Sequence, residues 1–300
     1  MWKRRDADIE LKTPGQLAAM RAAGLVVANA LRAAADAAAP GMSTADLDAV
    51  ASDTILAAGA TSSFKGYHGF PATICTSVNA EIVHGIPNPG KKLREGDVLS
   101  IDCGAIVDGW HADAALSIGI GEISAELARL LNACEQALWH GLARARVGGR
   151  LTDISHAVEQ SVRSAGDYGI VEDYVGHGIG SQMHMDPPVH NQGRPGHGPV
   201  LREGMALAVE PLLTAGSPET VLLEDGWTVL SADGGVAAHF EHTIALTADG
   251  PWVLTAPDGG RSDFARFATP LAGSLAGPAG CAADSRALNN SAAGNRAAHS

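Results

Sequence analysis

The chain alternates long stretches rich in Ala, Leu and Val with short β-rich apolar runs that are broken by Gly and Pro. The long stretches carry the start and stop signals of helices, because a Thr13–Pro14 pair opens the first of them and glycines end the others. The predicted helices run from Pro14 to Pro40–Gly41, from Ser43 or Thr44 to about Ala58, from Ser124 to about Arg146, and from Thr152 or Asp153 to Gly166.

The order of these segments repeats along the chain. Two helices precede a series of short strand-like segments, and the same order begins again after Ser124. Gly59 and Gly166, which end the second helix of each series, lie 107 positions apart, as do Asp46 and Asp153. This spacing indicates a duplicated helix–helix–sheet unit. Helix pairs followed by mainly antiparallel strands predict an α+β fold in which helices cover one side of the sheet.

A β-hairpin is predicted where Asp108–Gly109 interrupts an apolar, β-rich run. With these two residues in the turn, positions whose numbers sum to 217 face each other, so Asp113 lies opposite Gly104. Side chains alternate along a strand, and Asp102 therefore points to the same face as Gly104. Asp102 and Asp113 become diagonal neighbours, about 7–8 Å apart at the backbone.

The two aspartates are either ordinary surface acids of a hairpin or ligands of a cation. Asp102 lies in a run that has the composition of a buried strand, where Asp is rare without a partner. Glu210 and Glu241 also lie on apolar runs, and neither run contains Lys or Arg. Ionised carboxylates at close range repel each other unless a positive charge lies between them or one of them is neutral.

His177 is the candidate imidazole for such a site. It lies between glycines in Gly176–Gly180, a pattern that on its own is more typical of a tight turn with a solvated histidine. Together with the four acids, however, it completes a carboxylate-rich donor set that suits a pair of divalent ions such as Mn, Fe or Co. Two such ions about 3.5–4 Å apart can bridge a hydroxide and polarise a carbonyl.

Other chemistries lack their motifs. The sequence contains no H-E-x-x-H, no G-x-S-x-G and no Walker-type loop. Gly119–Gly121 lacks the third glycine of a dinucleotide-binding loop. Six further histidines are expected on the surface or next to a ligand rather than as ligands, namely His111, His156, His190, His197, His239 and His242.

Composition and charge narrow the class further. The hydrophobic content of 46% is that of a globular protein with a substantial core. A formal net charge of −12 argues against a nucleic-acid or anionic-membrane partner, and no apolar run approaches the ~20 residues of a membrane span. Four cysteines without C-x-x-C spacing (Cys75, Cys103, Cys134 and Cys281) predict free thiols in a reducing cytoplasm.

The composition changes near Pro257. Residues 1–256 are expected to form a single catalytic domain, whereas 257–300 is rich in Ala, Gly, Ser and Asn and contains only two aromatic residues, Phe264 and Phe267. Such a segment cannot bury enough apolar surface to offset its ordering entropy. We therefore expect 257–300 to be a disordered, low-complexity tail that contributes nothing to the core.

An ordered set of motifs resembles the type I methionine aminopeptidases of the short bacterial kind. The resemblance covers about Ile9 to Pro257. Its motifs are Val83-His84-Gly85-Ile86-Pro87, Ile101-Asp102 with Asp113 eleven residues on, Gly176-His177-Gly178-Ile179-Gly180, His184, Glu210-Pro211, Asp225-Gly226-Trp227 and Glu241-His242-Thr243.

The resemblance implies the pita-bread fold, in which two pseudo-symmetric α+β halves hold metals between them. It also implies an enzyme that removes the N-terminal methionine of nascent polypeptides when the second residue is small. Two divalent ions (Co, Mn, Fe, Zn or Ni) would bind, and a metal-bridging hydroxide would attack the scissile carbonyl. The implied partners are the nascent chain and, transiently, the ribosome. The resemblance also implies that the protein is a monomer and lies in the cytoplasm. The implied metal ligands are Asp102, Asp113, His177, Glu210 and Glu241.

The same resemblance assigns roles around the metals. Glu210 would shuttle protons, His184 would hydrogen-bond the substrate carbonyl as charge develops there, and His84 would contact the scissile amide. The walls of the methionine pocket would be Tyr67, Phe70, Cys75 and Trp227. Phe70 and Met183 stand where many relatives carry Tyr and an aromatic residue, which makes the pocket's shape less certain than the ligand set.

Two alternatives remain open. One is a proline peptidase of the same fold, such as aminopeptidase P or prolidase, although these usually carry an extra N-terminal domain. The other is a pita-bread binding protein without catalytic activity, although such proteins generally lose metal ligands.

Overall fold

The computed structural model describes residues 9–267, which contain five α-helices, a short 3-10 helix at Tyr67–Gly69 and fifteen strands. The helices are α1 (Pro14–Ala37), α2 (Thr44–Ala57), α3 (Ala125–Leu142), α4 (Leu151–Ala165) and α5 (Arg261–Phe267). The strands before α3 are β1 (Thr61–Ser62), β2 (Ile74–Val78), β3 (Glu81–Val83), β4 (Val98–Val107) and β5 (Trp110–Gly119). Those after α4 are β6 (Gly169–Ile170), β7 (Gly176–Gly178), β8 (Met185–Val189), β9 (Ala206–Val209), β10 (Leu212–Thr214), β11 (Thr220–Leu222), β12 (Val229–Ser231), β13 (Ala237–His239), β14 (Glu241–Thr247) and β15 (Gly250–Val253).

One nine-stranded sheet forms the centre of the structure. Its strands follow the order β1-β4-β5-β14-β9-β7-β8, while β2 pairs with β4 and β15 pairs with β14. Two smaller sheets have the orders β13-β10-β6 and β11-β12-β3. All the strand pairs within these sheets are antiparallel. The predicted α+β class with a mainly antiparallel sheet is therefore confirmed.

The helices pack on the sheet in pairs. α1 lies against α2 and against both β4 and β5, and α3 lies against α4. Each pair precedes its own series of antiparallel strands, in the repeated order that the sequence predicts. The Arg21 guanidinium, on α1, donates to the carbonyl oxygens of Val253, Leu254, Ala256 and Pro257, and so fastens the end of the last strand to the first helix.

Among the described residues, α1 alone is long and apolar enough to cross a membrane by length and composition. The sequence analysis expected no such run. One face of α1 is buried against the protein itself, since Met20, Ala23 and Val27 are fully covered. Core helices of this kind pass the same test, so the result does not indicate a membrane span.

Two helix boundaries differ from the prediction. α3 ends at Leu142 rather than near Arg146. α4 begins at Leu151 with Arg150 as its N-cap, not with Thr152 or Asp153 in that role. The Asp153 carboxylate accepts a hydrogen bond from the Arg150 N–H at 2.8 Å. Asp153 therefore caps the helix from its first turn, as the acid of a capping box does.

The chain beyond Pro257 does not follow the expectation that it stays outside the core. Asp258 accepts the N–H and the hydroxyl of Ser262 at the start of α5. Phe267, at the end of α5, is buried and stacks on Trp139 of α3 with ring centroids 6.3 Å apart. Two phenylalanines are enough to dock α5 on the core, because both contact the Trp139 ring of α3. The rest of the predicted tail, residues 268–300, lies outside the described residues.

We expect removal of α5 to destabilise the protein. A chain that ends after Pro257 should melt roughly 5 °C below one that ends after residue 269, because a buried Phe side chain contributes about 1.5–3 kcal/mol. For a chain of this size each kcal/mol shifts Tm by about 2–4 °C. Differential scanning calorimetry of both chains, with Phe267→Ala in the full-length protein as a third sample, makes the comparison. Equal melting temperatures would show that α5 is not part of the core.

Candidate active site and metal centre

The predicted register of the β4–β5 hairpin is confirmed. Asp108 and Gly109 form the turn with φ values of 49° and 80°, and Gly104 faces Asp113. The left-handed conformation that both turn residues adopt is the one that Asp and Gly tolerate in tight hairpins. Asp102, two residues from Gly104, therefore lies diagonal to Asp113 on one face of the sheet.

Three of the candidate ligands lie in one row that crosses the central sheet. Asp102 on β4 faces Ala115 on β5, and Ala115 faces Glu241 on β14. Continuing the register of β14 and β9 beyond the His242–Val209 pair places Glu210 opposite Glu241. Residues paired in this way direct their side chains to the same face, and the small Ala115 leaves space between the acids.

The other two candidate ligands lie in the neighbouring row. Thr243 faces Ala208, and Ala208 faces His177. Asp113 lies opposite Thr243, whose hydroxyl accepts the Asp113 N–H at 3.0 Å and donates to the Asp113 carbonyl at 2.8 Å. The sheet thus brings all five side chains to one place, although they come from four widely separated segments of the sequence.

The acids of this cluster are removed from water. Asp102, Asp113 and Glu241 are 8%, 4% and 2% exposed, and each has one buried carboxylate oxygen without a hydrogen-bond partner within the described residues. Burial raises the pKa of Asp113 to about 7 and that of Glu210 to about 8. Burial, followed by repulsion from neighbouring carboxylates, raises the pKa values of Asp102 and Glu241 well above the usual range. A cation of high charge would stabilise the ionised form of such a cluster.

The donor set fits divalent metal ions. Ligand atoms of Asp113, His177 and Glu241 lie within 4.8 Å of one another. The Nδ1–H of His177 donates to the Gly178 carbonyl at 2.9 Å, which leaves the lone pair of Nε2 facing Glu210 Oε1 at 3.7 Å. Burial lowers the pKa of His177 to about 3, so the ring is neutral, as a metal ligand must be. Orphaned carboxylate oxygens beside a pre-oriented imidazole are the arrangement that an ion would satisfy.

All eleven side chains predicted for the site line one cavity of about 280 Å³. The cavity walls are the metal-ligand candidates Asp102, Asp113, His177, Glu210 and Glu241 together with Tyr67, Phe70, Cys75, His84, His184 and Trp227. A larger groove of about 650 Å³ lies between α1 and α3. None of the five candidate ligands lines that groove, so we place the site in the smaller cavity.

The apolar part of the cavity is a cluster of buried side chains. Phe64, Phe70, Cys75 and Met183 pack together, and the Phe70 ring meets that of Trp227 edge-on at 5.1 Å. Burial, and then the charge of Asp102, raises the pKa of the Cys75 thiol well above its usual value, so the thiol stays neutral. The result is an apolar, uncharged pocket beside the acid cluster.

Two histidines stand on the polar side of the cavity. His184 lies exposed at its mouth, where Nδ1 is 2.8 Å from the Tyr67 hydroxyl and the ring is 4.3 Å from that of His177. His84 lies deeper, near Tyr174, and burial lowers its pKa to about 4.

The backbone of His84 is held in an uncommon conformation. Its φ of 60° lies in the left-handed region, which residues other than Gly rarely adopt. Gly85 follows, and a Cβ there would meet the Thr76 carbonyl oxygen at 2.3 Å. The chain passes this close to β2 because the Gly85 N–H bonds to Ser77 Oγ and its carbonyl accepts the Thr76 N–H. Such strain is often concentrated at functional sites.

A partly buried ion pair contacts the loop that carries His184. Lys12 and Glu10 lie 3.4 Å apart, and the Glu10 carboxylate accepts the Ser181 N–H. A Cβ on Gly180 would meet Lys12 Cε at 2.3 Å and Glu10 Oε2 at 2.4 Å. The last glycine of the Gly-His-Gly-Ile-Gly motif therefore lies directly against the ends of these two side chains.

Sequence reasoning missed several walls of the cavity. Phe64, Val83, Asp173, Tyr174 and Val175 also line it. Asp173 to Val175 immediately precede the glycine–histidine motif, and that position was the available signal. Of the six remaining histidines, His239 is buried beside Glu210 and Glu241, whereas His190 and His197 are exposed.

Comparison with known proteins agrees with this geometry. The model of metallopeptidase family M24 matches residues 18–248. The chain therefore belongs to metallopeptidase family M24.

Within that family, the chain is similar to bacterial methionine aminopeptidases. It is 53% identical over 249 residues to methionine aminopeptidase 1 of Mycobacterium tuberculosis, and the alignment covers 81% of this chain and 94% of the relative. It is 46% identical over 244 residues to methionine aminopeptidase 1 of Bacillus subtilis, covering 81% and 98%. The family predicted from the sequence motifs is confirmed.

Solved structures give the same result for the fold. The methionine aminopeptidase of Thermotoga maritima superposes with a TM-score of 0.81 at 40% identity, over 82% of this chain and 99% of that one. The prolidase of Pyrococcus furiosus has a TM-score of 0.65 at 20% identity, over 84% and 66%, and shares the fold alone. The predicted pita-bread fold is confirmed.

The buried acids predict how the metal-free protein responds to pH. The folded pKa values of Asp113 (about 7) and Glu210 (about 8) exceed the unfolded value of about 4. The folded chain then binds more protons than the unfolded one between these values, so the free energy of unfolding falls as pH rises through that window. The buried neutral histidines oppose this trend below their ordinary pKa of about 6.5. The melting temperature measured with a chelator should therefore decrease from about pH 7 to about pH 9.

Excess Mn²⁺ should remove this decrease, because the ion binds the deprotonated acids. Asp113→Asn serves as the matched variant, and its metal-free protein should show a shallower pH dependence than the wild type. A melting temperature that does not change with pH in the presence of chelator would contradict the assignment of raised pKa values.

Proposed function

We propose that the chain removes the N-terminal methionine from polypeptides whose second residue is small. One observation carries the proposal: an apolar pocket opens directly onto a buried cluster of four acids and one neutral imidazole. The M24 family and the methionine aminopeptidases at 46–53% identity support it. The enzyme would be a metallo-exopeptidase, that is, a hydrolase.

We propose two divalent ions for the acid cluster, drawn from Co, Mn, Fe, Zn and Ni. They would be held by Asp102, Asp113, His177, Glu210 and Glu241. When bound, such ions lower the pKa of water and polarise a carbonyl group. The buried acids support a pair rather than one ion, since four carboxylates with raised pKa values need more than two positive charges.

Glu210 is the proposed proton shuttle. Burial raises the pKa of Glu210 to about 8 when no metal is bound, so its carboxylate holds a proton more readily than an exposed one. A carboxylate in this position can accept the proton of the attacking water and return it to the departing amine. Its carboxylate lies at the cavity wall beside His177, with the Nε2 atom 3.7 Å away, which is where that water would be consumed.

His184 and His84 are the proposed hydrogen-bond donors to the substrate. A Tyr67 hydroxyl that donates to Nδ1 of His184 places the ring proton on Nε2, from where it can stabilise the developing oxyanion. His84 is neutral, because its pKa is about 4, and so also carries one ring N–H. We assign that proton to the scissile amide.

The methionine side chain would occupy the apolar end of the cavity. Tyr67, Phe70, Cys75 and Trp227 form this end, and Met183 completes it with a flexible side chain that adapts to the ligand. Phe70 has no hydroxyl group, unlike a tyrosine at this position. No hydrogen-bond donor of residue 70 is therefore left without a partner when the methionine thioether packs against it.

The two alternative functions have less support. Prolidases share the fold at 20% identity, and the chain spans 66% of the Pyrococcus furiosus prolidase. A binding protein without activity does not need a neutral imidazole aimed at four buried acids.

We further propose a cytoplasmic monomer that acts on nascent chains in transient contact with the ribosome. Cys75, Cys103 and Cys134 are free and buried, as expected in a reducing compartment, and Cys281 lies outside the described residues.

Peptide cleavage tests the function. The Mn²⁺-loaded protein should cleave Met-Ala-Ser faster than Met-Lys-Ser by roughly a hundredfold or more, since the enclosed site must reject a long second side chain. It should leave Ala-Pro-Ser intact, because the pocket is built for a long apolar first side chain. Release of the first residue is measured by chromatography, with the chelated protein as control. Equal rates on the two methionine peptides, or preferential cleavage of Ala-Pro-Ser, would refute the proposal.

A further inference from the structure

His239 is a buried histidine that the proposed reaction does not use. It ends β13, two residues before Glu241, and is 1% exposed. Its Nε2 lies 3.8 Å from Glu210 Oε2 and 3.8 Å from Glu241 Oε2. The ring does not line the cavity, so it approaches the two glutamates from behind.

Neither ring nitrogen of His239 has a hydrogen-bond partner within residues 9–267. This is unusual, because buried polar groups nearly always find partners and leaving a donor unpaired is costly. A neutral imidazole carries one N–H donor and one acceptor. The nearest polar atoms on the Nε2 side are the carboxylate oxygens of Glu210 and Glu241.

The backbone holds the ring in this position. The His239 N–H donates to Ser117 Oγ at 2.8 Å, and the Ser117 hydroxyl is 2.9 Å from the His239 carbonyl. β13 also pairs with β10, where His239 faces Leu212. The backbone of His239 is therefore held from two sides, which places the ring next to the two glutamates.

We propose that His239 is a positioning residue of the metal centre. Its Nε2–H donates to one of the two neighbouring glutamates, Glu210 or Glu241, and orients that carboxylate as a metal ligand. The inference rests on the proposed function. The 3.8 Å distances exceed a hydrogen bond, so a glutamate must rotate toward the ring. Full ionisation of that glutamate on metal binding favours the rotation, since hydrogen bonds to charged acceptors are the stronger ones. Partners that orient metal ligands in this way typically change metal affinity by about 10–100-fold when they are removed.

Two variants of similar shape separate donation from packing. His239→Gln keeps an N–H donor, whereas His239→Met fills the space without one. Calorimetric titration of Mn²⁺ into the metal-free proteins should show affinity reduced by about 10–100-fold in His239→Met and within about threefold of the wild type in His239→Gln. The stabilisation on adding Mn²⁺, read as the increase in melting temperature, should shrink in parallel.

The metal-free proteins supply the control for folding. His239→Met should melt no lower than the wild type without metal, because it replaces a group that has no partner there. A merely structural role would instead lower this metal-free melting temperature and leave the Mn²⁺ affinity unchanged.

Two outcomes overturn the inference. If His239→Met binds Mn²⁺ as tightly as the wild type, the ring does not orient the ligands. If His239→Gln loses as much affinity as His239→Met, the imidazole does something that a donor cannot replace. Either result, in a wild-type protein that cleaves Met-Ala-Ser, leaves the proposed function intact. A wild type that binds no Mn²⁺ would overturn both.

Discussion

The burial of four carboxyl groups on one face of a sheet is the constraint on which this structure depends. The free energy of placing these acids out of water is unfavourable, as the pKa of about 8 for Glu210 and the orphaned oxygens of Asp102, Asp113 and Glu241 show. The strands hold them there because their other face is covered by helices. The same unfavourable burial in the metal-free state prepares a high-charge site for cations.

Both halves of the repeated architecture are needed to build this cluster. β4 and β5 supply Asp102 and Asp113 from the first half, while β7, β9 and β14 bring His177, Glu210 and Glu241 from the second. The two halves of the chain meet where β5 pairs with β14. The substrate reaches the five ligands through the cavity beside them. An apolar pocket forms one side of this cavity, and the loop of His184, which packs on the Lys12–Glu10 pair, forms the other.

The sequence predicted local features well and long-range ones only through family resemblance. The pairing of Asp113 with Gly104 followed from a two-residue turn, because a tight turn dictates its own register. Nothing local predicts that Glu210 faces Glu241, since that pairing depends on the path of the whole sheet. For His239 the sequence left two positions open, on the surface or next to a ligand, and only the folded chain places the ring beside Glu241. The stacking of Phe267 on Trp139 was missed, because it depends on side chains distant in sequence.

Calorimetric titration of Mn²⁺ into metal-free protein tests the central claim most directly, with the wild type, His177→Ala and His84→Ala compared under identical conditions. His177 faces the acids through Nε2, so His177→Ala should lose affinity for at least one ion. His84 lines the cavity as a proposed donor to substrate, so His84→Ala should bind metal as the wild type does while kcat falls by roughly 10²–10⁴. Metal binding that is unchanged in His177→Ala, or lost in His84→Ala, would contradict the account.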